Sequence, residues 1–121
     1  MKKILLIEDD AFLSDIYTTK LRESGLNVDV ISDGEEALRK VKEQKYDLVL
    51  LDIVLPKMDG WDILKAIRSQ PGLRDLKVII ISNLSQKEEI DKGLSLGALK
   101  YLVKAHYTPS EMLEEINEAL K

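Results

Sequence analysis

Glu8, Asp9 and Asp10 close the apolar run Ile4–Ile7, Asp52 follows Leu48–Leu51, Ser82 follows Val78–Ile81, and Lys104 follows Leu99–Val103. If those runs lie side by side and point the same way, three or four carboxylates, one hydroxyl and one ammonium converge at a single edge. Packing alone does not call for this, because crowded carboxylates repel and raise one another's pKa values. A hard divalent cation resolves the conflict: Mg²⁺ takes oxygen ligands, keeps waters and bridges carboxylates to a phosphoryl oxygen. The plainer reading is that acids cap helices where strands turn into them. It suits Asp10, which alone could cap a helix starting at Ala11, and suits Glu8, Asp9 and Asp52 together poorly. Lys104 could be a solvated lysine, but its place after an apolar run and opposite three acids favours a site.

The elements that must hold these residues are legible from periodicity. Five short runs rich in Val, Ile and Leu (Ile4–Ile7, Val28–Ile31, Leu48–Leu51, Val78–Ile81 and Leu99–Val103) read as strands, and three are nearly continuous, as strands covered on both faces are. Stretches with helical spacing alternate with them, such as Leu13, Ile16, Tyr17 and Leu21, or Met112, Leu113, Ile116 and Leu120. Gly25 marks the end of the first helix, while Gly34 and Gly60 open the second and third. Thr108-Pro109-Ser110-Glu111 supplies a cap, a first-turn proline and an early acid for the last. Gln70-Pro71-Gly72 reads as a loop. Five strands alternating with five helices predict an α/β fold, a doubly wound parallel sheet with helices on both faces. Such sheets place ligands beyond the carboxyl ends of their strands.

Composition narrows the chemistry further. The 121 residues form one domain and contain no cysteine, which removes disulfides, thiolate nucleophiles and cysteine-held metals. His106 is the only imidazole, so a bound metal should be hard and oxygen-liganded. A net charge of −4 predicts that nucleic acid is not a partner. Met1-Lys2-Lys3 before Ile4–Ile7 looks like an export signal, but an apolar run of that length is too short for one or for a membrane span. The expected compartment is the cytoplasm.

The ordered motifs are similar to a known family. Ile4–Asp10 matches its acidic first strand, and Asp47–Asp52 with Pro56, Met58, Asp59 and Gly60 its phosphoacceptor segment. Val78–Ser82 and Gly97–Lys104 match its fourth and fifth strands. The chain thus resembles, over essentially its whole length, the CheY-like receiver domain of two-component response regulators. That resemblance implies a flavodoxin-like strand order, 2-1-3-4-5, and a single receiver domain over residues 1–121 with no output domain. It implies that Asp52 accepts the phosphoryl group, that Ser82 and Lys104 bind its oxygens, and that Tyr101 is the aromatic switch. Glu8, Asp9 and Asp52, with the backbone carbonyl of Val54, would hold Mg²⁺. The implied donor is a histidine kinase or histidine phosphotransfer protein. The implied output is a downstream protein bound on the face of the fourth helix, fifth strand and fifth helix, where Glu88, Glu89, Lys92, Lys100, Tyr101 and Glu111 lie. Phosphorylation should open room for Tyr101 to turn inward.

Two positions depart from the family pattern. Ala105 follows Lys104 where proline, often cis, is usual. A cis bond before a non-proline residue costs about 3–4 kcal/mol, so the state of this bond is open and the loop can take its own path. Asn83 follows Ser82 where a small residue is usual and narrows access to Asp52. Val54 and Leu84, two residues beyond Asp52 and Ser82, are apolar and would deny an attacking water its hydrogen bonds, so dephosphorylation should be slow. The chain reads as no enzyme beyond its own phosphorylation and slow self-dephosphorylation. An aspartyl-phosphate hydrolase would need an acid where Val54 stands, and a flavin module would need a phosphate-cradling loop where the acids stand. The alternative is an interaction scaffold that works without phosphorylation.

Overall fold

The computed structural model describes residues 1–121. Its elements run β1 (Lys3–Ile7), α1 (Ala11–Glu23), β2 (Asn27–Ile31), α2 (Gly34–Glu43), β3 (Leu48–Leu51), α3 (Gly60–Ser69), β4 (Val78–Ser82), α4 (Lys87–Ser95), β5 (Lys100–Val103) and α5 (Pro109–Leu120). The five strands are parallel in the order β2-β1-β3-β4-β5. No helix is long and apolar enough to cross a membrane.

The strands are apolar on both faces because both faces are covered. Leu5, Ile7, Val49, Leu51, Val78 and Ile80 pack with Ala37 and Val41 of α2 and Ile63, Leu64 and Ile67 of α3. Their neighbours Ile4, Leu6, Leu48, Leu50, Ile79 and Ile81 turn to the other side, against Tyr17 and Leu21 of α1 and Met112 and Ile116 of α5. Alternation along a strand makes each register unique, since a slip of one residue would exchange the two layers. The observed register sets Ile7 beside Leu51, Leu51 beside Ile80, and Ser82 beside Val103. All four central strands therefore end at one edge, and the residues that follow them meet there.

Boundaries differ from the sequence reading in three places. β4 runs on through Ser82, which is wholly buried as the last strand residue. β5 begins at Lys100, although the Leu99 N–H still donates to the Val78 carbonyl at 2.8 Å. The expected loop at Pro71 is a 3₁₀ turn, Pro71–Leu73, with Leu73 N–H donating to Gln70 O at 3.0 Å; proline fits its first position, where no N–H is needed.

Leu50→Ala, at a side chain 1% exposed between two layers, should lower unfolding free energy by about 2–5 kcal/mol in urea titrations. Val30→Ala, on the 40% exposed side of the edge strand, should stay within about 0.5 kcal/mol.

Candidate functional site

The strand ends bring Glu8, Asp52 and Lys104 into contact. Glu8 and Asp52 keep their backbones in the ladder, with N–H groups donating to Ile31 O and Ile7 O, both at 3.0 Å, while their side chains are buried. Lys104 Nζ lies 2.9 Å from Asp52 Oδ2 and 2.6 Å from Glu8 Oε1. The other Asp52 oxygen, Oδ1, accepts the Val54 N–H at 3.2 Å. Glu8 Oε2 accepts the Asp10 N–H at 3.4 Å, whereas the buried Oε1 has no hydrogen bond of proper direction despite its closeness to the ammonium. Burial pushes the Glu8 carboxyl up to about 7, Asp52 adds to the rise, and Lys104 opposes it. Burial acts to lower the Lys104 amino group, but its bonds to Glu8 and Asp52 outweigh that and hold it above its ordinary value.

Asp9 is exposed, and it, Glu8 and Asp52 each offer one oxygen within 4.8 Å of the others. Asp10 serves the helix: its extended backbone aims Oδ1 at the Phe12 and Leu13 N–H groups, at 3.0 and 3.1 Å. These acids open onto a cleft of about 300 Å³ that Val54, Asn83 and Lys104 also line. Val54 stands 60% exposed on its lip. Leu84 does not line it; its half-buried side chain packs on the core layer under α2 and α3. A larger hollow of about 680 Å³ lies at the opposite end of the sheet, beside Tyr46 and Leu76, away from this chemistry.

Ser82 Oγ accepts the Leu84 N–H at 3.1 Å, and the Leu84 carbonyl accepts the Tyr101 hydroxyl at 2.6 Å. Tyr101 is therefore already half-buried and turned inward, without any phosphoryl group to make room for it. Gly93 accounts for the space. A Cβ there would stand 2.6 Å from Ile80 Cδ1 and 2.9 Å from Tyr101 Cδ2, so only glycine lets α4 approach this closely. It is the sole buried residue of α4. Beside it, Lys92 Nζ sits 4.6 Å above the Trp61 ring of α3. Gly60 plays a similar part behind Asp52, where a Cβ would meet the Asp52 carbonyl oxygen and Ile53 Cα at 2.6 Å.

Sequence reasoning missed both close approaches, taking Gly93 as helix-end spacing and Gly60 as only a helix start. It also missed the Leu84 carbonyl. The one available signal was that glycine costs an exposed helix about 1 kcal/mol, so one inside a helix needs a packing reason. The Lys104–Ala105 peptide is trans, and Lys104–His106 form a 3₁₀ turn.

Comparison with known proteins gives a consistent match. A family model described as response regulator receiver domain matches residues 4–117. The alkaline phosphatase synthesis transcriptional regulatory protein PhoP of Bacillus subtilis is 38% identical, over 99% of this chain and 49% of its own length. The DNA-binding response regulator MtrA of Mycobacterium tuberculosis is 33% identical, over 99% of this chain and 51% of its own. The chemotaxis response regulator CheY4 of Vibrio cholerae superposes with a TM-score of 0.91 at 26% identity, covering 98% of both chains. The chain spans about half the length of the two curated relatives. One expectation is corrected here. Net acidity was taken to exclude nucleic acid, yet MtrA is named for DNA binding. Charge on a segment half as long as the relative reports only on that segment's own surface.

The raised Glu8 carboxyl gives stability a slope with pH. Its folded value near 7 exceeds the ordinary 4.5, so its contribution is complete below about pH 4.5 and is lost as pH rises through 7. Thermal melts in chelator from pH 5 to 8 should therefore show a loss of up to about 3 kcal/mol, absent from Glu8→Gln.

Proposed function

Since the chain belongs to the response regulator receiver domain family, we propose that it takes up a phosphoryl group on Asp52 and presents a changed surface to a partner protein. The observation that carries this reading is the Lys104 ammonium, held 2.9 Å from a nearly buried Asp52 at the floor of an acidic cleft.

Hard oxygen donors within 4.8 Å of one another, one of them a buried oxygen lacking a hydrogen bond, suit Mg²⁺. Glu8, Asp9 and Asp52, with the Val54 carbonyl, would hold it, and when bound it offsets charge on carboxylates and phosphoryl oxygens. The chain's own residues do the rest. An Asp52 oxygen attacks the phosphorus of a phosphohistidine donor, the P–N bond breaks, and its electron pair leaves with the imidazole. Lys104, already paired with Asp52, moves its charge to a phosphoryl oxygen as the carboxylate becomes an acyl phosphate. The Val54 N–H holds the oxygen that it already contacts. Ser82 would exchange the Leu84 N–H for a phosphoryl oxygen, loosening the segment whose carbonyl anchors Tyr101. Because Tyr101 already turns inward, the modification shifts a population and does not create a new state. DNA, to which the name of one relative points, would be reached through protein contacts of that surface, since this segment carries a net charge of −4.

The test is incubation with acetyl phosphate and Mg²⁺ followed by intact mass. One phosphoryl group should appear on the wild type and none on Asp52→Asn; no adduct on either would leave the scaffold reading. Hydrolysis should be slow, because Val54 gives the cleft no hydrogen bond and Asn83 crowds it. Val54→Asn should speed phosphate release by about ten- to a hundredfold. Leu84→Glu, at a side chain outside the cleft, should change it little.

A further inference from the structure

A second hollow of about 340 Å³ adjoins the acidic cleft, and the two share Leu13, Asn83 and Lys104 as walls. Beyond that shared wall the character changes. The cleft carries Glu8, Asp9, Asp10 and Asp52. The groove carries no acid at all: Ile16 and Tyr17 of α1 face Ala105, Tyr107 and Pro109 at the start of α5. Its far wall follows from the departure at Ala105. The trans peptide and the 3₁₀ turn Lys104–His106 carry the chain over α1 with only a methyl group at the opening.

We propose that this groove receives the leaving group of the phosphodonor, a neutral nitrogen heterocycle of imidazole size. The inference rests on Asp52 as phosphoacceptor. Attack makes the bond from an Asp52 oxygen to phosphorus as the P–N bond breaks. A donor ring protonated at its other nitrogen takes that electron pair and departs as neutral imidazole, so no further proton or co-reactant is required. A neutral ring suits apolar walls, whereas an anionic leaving group such as acetate meets the neighbouring carboxylates. The hollow is at the lower end of ligand-pocket sizes, with room for a ring and the methylene bearing it. Tyr17, whose phenol burial holds protonated, offers a hydroxyl to a ring nitrogen.

The experiment compares two small donors that break the same kind of bond, phosphoimidazole with a ring and phosphoramidate without one. Ile16→Trp and Ala105→Phe fill the groove from opposite walls. Each should lower the rate with phosphoimidazole about tenfold, as expected from losing part of a buried ring's contacts, and leave the rate with phosphoramidate within about twofold. The Trp61 emission and thermal melt of each variant confirm its fold, and Ala105, exposed, tolerates the change even if Ile16 does not. An unchanged ratio of the two rates in a folded Ala105→Phe overturns the assignment, as does an equal fall with both donors. If neither these donors nor acetyl phosphate modifies wild-type Asp52, the phosphoacceptor reading itself fails, a result distinct from either.

Discussion

Two carboxylates and one ammonium are buried together at the edge of an otherwise apolar sheet, and the remaining structure answers to that constraint. Glu8 and Asp52 are 2% and 4% exposed, and a single cation, Lys104, stands between them. One positive charge against two negative ones leaves the cluster short of neutral, and low-dielectric surroundings enlarge the deficit. The raised Glu8 carboxyl and its unbonded oxygen are two expressions of that shortage. A site built this way has affinity for added positive charge before any reaction starts. It also has a lysine whose allegiance can move from carboxylate to phosphoryl oxygen without leaving its place.

Such a cluster holds only if the strands beneath it cannot slip. The alternation of two complete apolar layers supplies that rigidity, because any shift in register would turn one layer outward to the wrong helices. The glycine behind Asp52 tightens the arrangement by letting the start of α3 rest on the strand-end backbone. Rigidity is thus concentrated below and behind the acids. Above them, Asn83, Val54 and the Lys104–His106 turn are exposed or half-exposed and form the openings.

The fold and the acidic edge were legible in the sequence because both rest on local signals. Continuous β-branched and leucine runs mark strands covered on two sides, and a charged residue immediately after each run marks the edge. Asp10 was ambiguous because a cap and a ligand demand the same residue type; only its backbone angles decide that it bonds Phe12 and Leu13. Gly93 was illegible because its reason is a ring and an isoleucine that arrive from other strands. Leu84 misled for a related cause. Its identity describes a side chain that goes to the core, while the group that matters is its carbonyl, which every residue type carries. The acidic charge misled about nucleic acid because it was summed over a segment about half as long as its relatives.

The anchoring of α4 has a consequence for signal quality. Its one buried residue is a glycine, and a lysine over an indole ring supplies a further tie. Apolar side chains buried in a core would make a stiff mount, each worth about 1.5–3 kcal/mol, and α4 has none. A softly mounted helix responds to small forces from the site, which gives sensitivity. The same softness lets thermal agitation mimic the stimulus, so the resting protein carries background noise, and gain and quietness are traded against each other at Gly93.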